Sequence, residues 1–155
     1  MRLLAVFSLC ALVLFAQKYA GPRPPKPDVP FLLHADSLVE TEAVEAQEQQ
    51  KKDDILYTVA GPNSPVRTPL ASPIFLLRAD KLDASRLQLY KLETRNNQRE
   101  ILFRKKKGSA RPIRLSVSKL SSDNLYRIEV DESLENGEYS LTPEGSNQVF
   151  CFQVY

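Results

Sequence analysis

The chain has 155 residues, with 21 Lys and Arg against 19 Asp and Glu, 43% hydrophobic residues and five glycines, enough for one domain with extensions and a core built by burial alone. The formal charge of +2 is unevenly spread: residues 36–54 hold two basic and seven acidic side chains, residues 78–119 thirteen and four, residues 120–155 one and seven. Such a distribution excludes a uniformly basic polyelectrolyte binder and favours neighbouring segments that neutralise one another on folding.

Met1 and Arg2, the apolar run Leu3–Phe15 and then Ala16 have the order of a secretory signal peptide, and the run is shorter than the ~20 apolar residues of a membrane span. Residues 1–16 are read as signal. The mature chain is then exported, periplasmic or extracellular in the cell envelope, and has no transmembrane span. Cys10 follows Phe7-Ser8-Leu9 and lacks the small residue that precedes a lipidated cysteine. Cys151 alone remains after cleavage, so no internal disulfide forms; between Phe150 and Phe152 it reads as a buried apolar residue, the alternative being a bridge between chains. With no disulfide framework and no Asn-x-Ser/Thr acceptor, a bacterial envelope is the natural setting.

Residues 17–30 carry proline at 22, 24, 25, 27 and 30, a density that favours a stiff polyproline II stalk at ~3.1 Å per residue. Its PxxP spacing also suits aromatic-grooved peptide-binding modules, but those are mostly cytosolic. Residues 31–54 form a charged arm: Phe31–His34 reads as a short strand, and the Glu- and Gln-rich remainder as either a polar strand or a helix with a thin apolar stripe.

From residue 55 to 155 the pattern is that of strands. Ile55, Tyr57 and Val59 alternate with polar neighbours; the proline-rich loop 60–73 follows, then PIFLLRA, and then LQLYKLET and REILFRK on either side of Asn96-Asn97, a pair that tolerates positive φ in a tight hairpin. Alternation resumes at Ile113-Leu115-Val117, Tyr126-Ile128-Val130, Tyr139-Leu141 and Phe150-Phe152-Val154. Short strands at this spacing predict an all-β, two-sheet antiparallel sandwich of about seven to eight strands.

The stretch LENGEYSL, residues 134–141, resembles the tyrosine corner of immunoglobulin-like sandwiches, where a Tyr near the start of the penultimate strand returns its hydroxyl to the backbone just upstream. The resemblance gives Leu134 the role of a core plug, Gly137 the bend and Tyr139 the corner. It is also similar to small exported bacterial β proteins that end in a GEYSL-like turn and an aromatic strand. The competing reading is a plain hairpin turning on Asn136-Gly137. No Trp is present and Cys151 has no partner, so the disulfide-and-Trp hallmark of antibody domains is missing.

Catalytic chemistry has little support. His34 is the only histidine and lies far along the chain from Cys151, so neither a Ser-His-Asp nor a Cys-His arrangement is indicated. One His and one Cys cannot make a zinc site, and Asp53-Asp54, Asp80/Asp83 and Asp131-Glu132 lack the calcium-loop pattern, so no metal or cofactor is expected. The expectation is a non-enzymatic binding or structural module whose partner is a protein or envelope component, not nucleic acid. Its rivals are a hydrolase of envelope polysaccharide using two carboxylates and an anionic-surface binder through Arg104, Lys105, Lys106, Lys107 and Arg111. Arg67, in the proline-rich loop, is a further candidate contact. The aromatic last strand is expected at an edge, open to strand addition by a partner. A transmembrane barrel is disfavoured because the strands are short and charged.

Overall fold

Wherever apolar and polar residues alternate downstream of Ile55 the chain forms strand, because a period of two puts every second side chain on one face of a pleated ribbon. A computed structural model describes residues 18–155; the signal peptide read at 1–16 lies outside the described residues. The described chain is all β, with one 3₁₀ turn at Ala84–Arg86. In chain order the strands are β1 (Phe31–His34), β2 (Ser37–Glu40), β3 (Glu42–Glu45), β4 (Gln47–Lys51), β5 (Asp54–Ala60), β6 (Arg67–Thr68), β7 (Ile74–Arg78), β8 (Leu87–Arg95), β9 (Gln98–Phe103), β10 (Leu115–Ser121), β11 (Leu125–Val130), β12 (Gly137–Pro143) and β13 (Gln148–Val154). They form two packed sheets, a five-stranded one in the order β10-β11-β7-β1-β2 and an eight-stranded one in the order β3-β13-β12-β8-β9-β5-β4, with β6 beside β13. Every pairing is antiparallel except that of β6 with β13.

The two ends of the larger sheet belong to one stretch of chain. Ala46 separates β3, which pairs with β13 from Glu42↔Cys151 to Glu45↔Gln148, from β4, which pairs with β5 from Gln47↔Thr58 to Lys51↔Asp54. β8 bends in the same way, pairing with β12 over residues 87–92 and with β9 only over residues 93–95. The sheet thus curls until it closes on itself, and its β13-β12-β8 wall has two faces to bury. One face meets the smaller sheet: Leu32, Phe75, Leu77 and Ile128 pack against Leu89, Tyr139, Leu141, Phe150, Phe152 and Val154 in the main core. Phe152 anchors it, 5.0 Å from the Phe75 ring centroid and stacked on Tyr139 at 5.6 Å. The other face looks into the curl, where Ala46, Val59, Leu92, Val149 and Cys151 form a second buried cluster.

The crossing from the smaller sheet to the larger runs through LENGEYSL. β11 and β12, on either side of it, lie in different sheets, so no hairpin forms there. Tyr139 is buried, its hydroxyl donates to the Glu135 carbonyl at 2.8 Å, and Leu134 is buried beside it in the main core. A Cβ on Gly137 would come within 3.2 Å of the Lys91 side chain. Asn96 and Asn97, at φ 49 and 61, make the two-residue turn between β8 and β9, as their tolerance of positive φ requires.

Three expectations need correction. Residues 31–54 are not an arm outside the domain: β1 and β2 complete the smaller sheet, β3 and β4 close the larger one, and nine strands, not seven or eight, follow. The proline-rich segment does not stand the domain off. Pro24 and Pro30 are buried, and Val29 packs on the main core. Asp28 donates its amide to Arg78 and accepts three amides, from Asp80, Lys81 and Leu82, on one carboxylate oxygen at 2.9–3.0 Å. Prolines supply no ladder donors, so side chains dock the segment instead; Lys26 pairs with Glu40, and Arg23 with Asp123. Finally, β13 is not an edge, because β12 covers one side while β3 and β6 share the other.

Candidate functional site

The curl leaves a cavity of about 300 Å³ between its walls. Its lining follows from register. Ile55, Tyr57 and Val59 on β5 face the same way as their partners Phe103, Ile101 and Arg99 on β9. Opposite them stand Tyr90 and Leu92 of β8, Ser140 and Thr142 of β12, and Val149 of β13, all part of the lining. The alternate residues on these strands, Leu89, Tyr139, Leu141 and Phe150, fill the main core. Phe103 sits edge-on to Tyr57 at 5.7 Å and to Tyr90 at 5.2 Å, an arrangement in which ring edges meet ring faces favourably. The Tyr90 hydroxyl donates to Gln88 at 2.9 Å. Burial raises the pKa of both tyrosines; the Glu48 carboxylate adds to the shift at Tyr57, and Glu144 to that at Tyr90.

One end of the cavity is polar and closed. Arg99, only 1% exposed, extends from β9 to clasp Glu42 with both terminal nitrogens at 2.6 and 2.9 Å, and donates to the carbonyls of Ala60 at 2.8 Å and Gly61 at 3.1 Å. Glu138, 4% exposed, lies 3.9 Å from one of the same terminal nitrogens and accepts the Ser64 amide at 2.9 Å. Burial pushes the Glu138 carboxyl above its ordinary pKa, against the pull of the Ser64 amide and Arg99. Cys151, fully buried and free, shares this end; burial pushes its thiol up to about 12. A thiol so protonated is a packing group, neither a nucleophile nor a ready partner for an intermolecular bridge.

The cations singled out in the sequence are dispersed by the fold. Arg104 and Arg111 line a separate groove of about 520 Å³ beyond the point where β8 and β9 splay apart, together with Lys51, Lys91 and Arg95. Lys105, Lys106 and Lys107 are exposed in the loop above it and do not line it. Asp54 accepts the Lys105 amide at 3.2 Å and the Ser109 hydroxyl accepts the Arg104 amide at 3.1 Å, which fixes the base of that loop. Arg67 is elsewhere, on β6, its guanidinium 4.2 Å above the Tyr155 ring. The loop that carries it crosses from the larger sheet to the smaller and covers the end of β13 through Gln153–Val66 and Tyr155–Thr68 hydrogen bonds. His34 pairs with the Thr68 hydroxyl at 2.9 Å. Leu134, Gly137 and Tyr139 make the crossing between sheets described above.

Sequence reasoning missed the cavity and its Arg99-Glu42-Glu138 end. A signal was present: Arg99 shares a strand face with Ile101 and Phe103, an arginine in an apolar register, and Glu138, Ser140 and Thr142 alternate with the core residues Tyr139 and Leu141. Among the described residues no cluster of His, Cys, Asp and Glu is placed to hold a metal ion, and no helix is long and apolar enough to cross a membrane. The fold and this site define a two-sheet antiparallel β protein with a cavity lined by its larger sheet. No protein-family model, curated protein or solved structure matches the chain.

Proposed function

We propose that this chain is a non-enzymatic binding module of the cell envelope that takes a compact, mostly apolar ligand into the cavity of its larger sheet. Export rests on the signal-like residues 1–16, and kinship with immunoglobulin-like sandwiches on the Tyr139 corner. The observation that carries the binding reading is a cavity of about 300 Å³ lined chiefly by aromatic and aliphatic side chains in a molecule that already has a filled core elsewhere. This concavity is reachable from solvent past the exposed Glu48, Gly145 and Ser146, and a well-formed, mostly apolar concavity with a few polar groups is the usual form of a small-molecule site.

The carboxylates favour binding over hydrolysis: Glu48 is the one carboxylate among the lining residues, and the pair behind Arg99 is engaged. Both Glu42 oxygens are held by Arg99, and the Glu138 oxygen nearest the guanidinium accepts the Ser64 amide. A glycosidase needs one carboxyl free to give a proton and the other free to attack or to activate water.

The test is calorimetric titration of the folded protein with 1-decanol, sized to on the order of ten water-sized groups at ~30 Å³ apiece. Saturable one-to-one binding with a negative heat-capacity change is expected, as is its loss in Thr142→Phe, which projects a ring into the cavity. Absence of saturable binding by the natural chain overturns the reading.

A further inference from the structure

The two concavities are neighbours. β8 and β9 pair only over residues 93–95 and diverge beyond that point, and Tyr90 and Ile101, on the diverging segments, line both the cavity and the basic groove. The free edge of β8 is held at one place by Ile113, whose amide donates to the Leu89 carbonyl at 2.8 Å. On the cavity side the lining is chiefly aromatic and aliphatic; on the groove side cations outnumber carboxylates.

Five cations line the groove against two carboxylates, Glu93 and Glu100. Arg95 spends its charge on those two, at 2.7 and 3.7 Å, and Lys91 pairs with Glu135 at 2.8 Å. Lys51, Arg104 and Arg111 form no ion pair among the described residues. Gly108, at φ +87, allows the loop to turn tightly over the Arg104 guanidinium. Three uncompensated cations in one concavity raise the local concentration of anions and favour a bound negative charge, and arginine presents a planar fork that suits oxyanions.

We infer that the ligand is an amphipathic anion, its alkyl or aryl part in the cavity beside Tyr57, Tyr90 and Phe103 and its anionic head in the groove near Lys51, Arg104 and Arg111. This rests on the cavity reading above and adds the charge and its place. A neutral apolar molecule leaves the three cations without a partner, and a small inorganic anion leaves the cavity unfilled. An amphiphile satisfies both across the Tyr90–Ile101 boundary.

The test compares decanoate with 1-decanol by calorimetry at pH 7.5 in 25 mM and 500 mM NaCl, on the natural chain and on Arg104→Glu/Arg111→Glu, with circular dichroism to show that the variant folds. At low salt decanoate is expected to bind at least tenfold more tightly than 1-decanol, the gap narrowing at high salt. The double charge reversal is expected to bring decanoate to the level of 1-decanol while leaving 1-decanol unchanged. Equal affinities for the two probes, or decanoate binding indifferent to the reversal, overturn the inference and leave the cavity reading standing. Binding of neither probe overturns both. Should the double variant not fold, the decanoate-to-decanol ratio and its salt dependence in the natural chain decide the matter.

Discussion

Arg99→Met is the most informative single substitution. The natural side chain makes two charge-assisted hydrogen bonds to Glu42 and two to the Ala60 and Gly61 carbonyls, and is 1% exposed. Methionine matches much of the volume but strips the cation from two carboxylates and the donors from two carbonyls. Removing one partner of a buried pair costs ~3–5 kcal/mol; the partial exposure of Glu42, at 17%, places the expectation near the lower figure. Set against a total stability of ~5–15 kcal/mol, that is a large loss. Urea unfolding followed by circular dichroism reads it directly, the chain having no Trp.

The deficit is expected to shrink in acid. Burial already raises Glu138, and loss of the guanidinium raises it further, so the variant's native state holds protons that its unfolded state releases. Stability that depends on the protonated form is present in full below the unfolded pKa of 4.5 and is lost as pH rises through the raised folded value. The variant therefore recovers toward the natural chain as pH falls from 7 to 4.5. A second change, Glu42→Leu, replaces an orphaned charge with an apolar group and is expected to restore much of the deficit at pH 7. A single variant costing less than about 1 kcal/mol, or a double variant no better than the single, refutes the assignment of this cluster as a closed ion network.

Asp28→Asn weakens the docking of the proline-rich segment. Burial opposes the Asp28 charge, yet the three amides it accepts hold its pKa below the usual carboxylate value, so its contribution is present above pH 3.8 and lost as pH falls through the folded value; the urea-midpoint gap between variant and natural chain should close below that pH, and a constant gap would contradict the account. Tyr139→Phe removes one hydrogen bond at the crossing and is expected to cost ~1 kcal/mol in chemical unfolding, whereas no change would mean that the Glu135 carbonyl finds an equal partner in water. Cys151, with a thiol pushed up to about 12 and no exposure, should react with a thiol reagent at pH 8 only at the rate of unfolding; fast stoichiometric labelling of the folded protein would show the site to be open.

What the sequence could reveal depended on whether a single strand face was buried. β10, β11 and the end of β13 showed their alternation because one face meets the main core and the other meets water or a polar neighbour. The Asn96-Asn97 turn and the Tyr139 corner were readable because each rests on a conformational or hydrogen-bonding property of the residue itself. β2, β3 and β4 were opaque for the opposite reason. Gln47–Lys51 is exposed throughout and is a strand only because its backbone pairs with β5, a fact about a partner that composition does not carry. The curl was equally hidden: β8 reads as one amphipathic ribbon, and nothing in LQLYKLETR marks that residues 87–92 and 93–95 serve different neighbours. The proline run misled because proline predicts the missing ladder correctly but says nothing of the Asp28 carboxylate that replaces it.

The cavity was foreshadowed only by polar residues on strands whose other face is core. Glu138, Ser140 and Thr142 occupy the face of β12 that a simple sandwich would give to solvent, yet Glu138 and Ser140 are buried. Buried polar side chains on that face need partners: Glu138 finds the Ser64 amide and the Arg99 guanidinium, whereas the Ser140 hydroxyl pairs with Thr142 on its own strand at 3.3 Å.

Methyl-resolved NMR during titration with decanoate tests the central claim most directly, because the two buried regions of the protein carry different methyl groups. Val59, Leu92, Ile101 and Val149, inside the curl, are expected to shift progressively and saturate together, while Leu32, Leu77, Ile128 and Leu141, in the core between the sheets, stay in place. Shifts confined to the second group, or spread evenly over both, would contradict that claim.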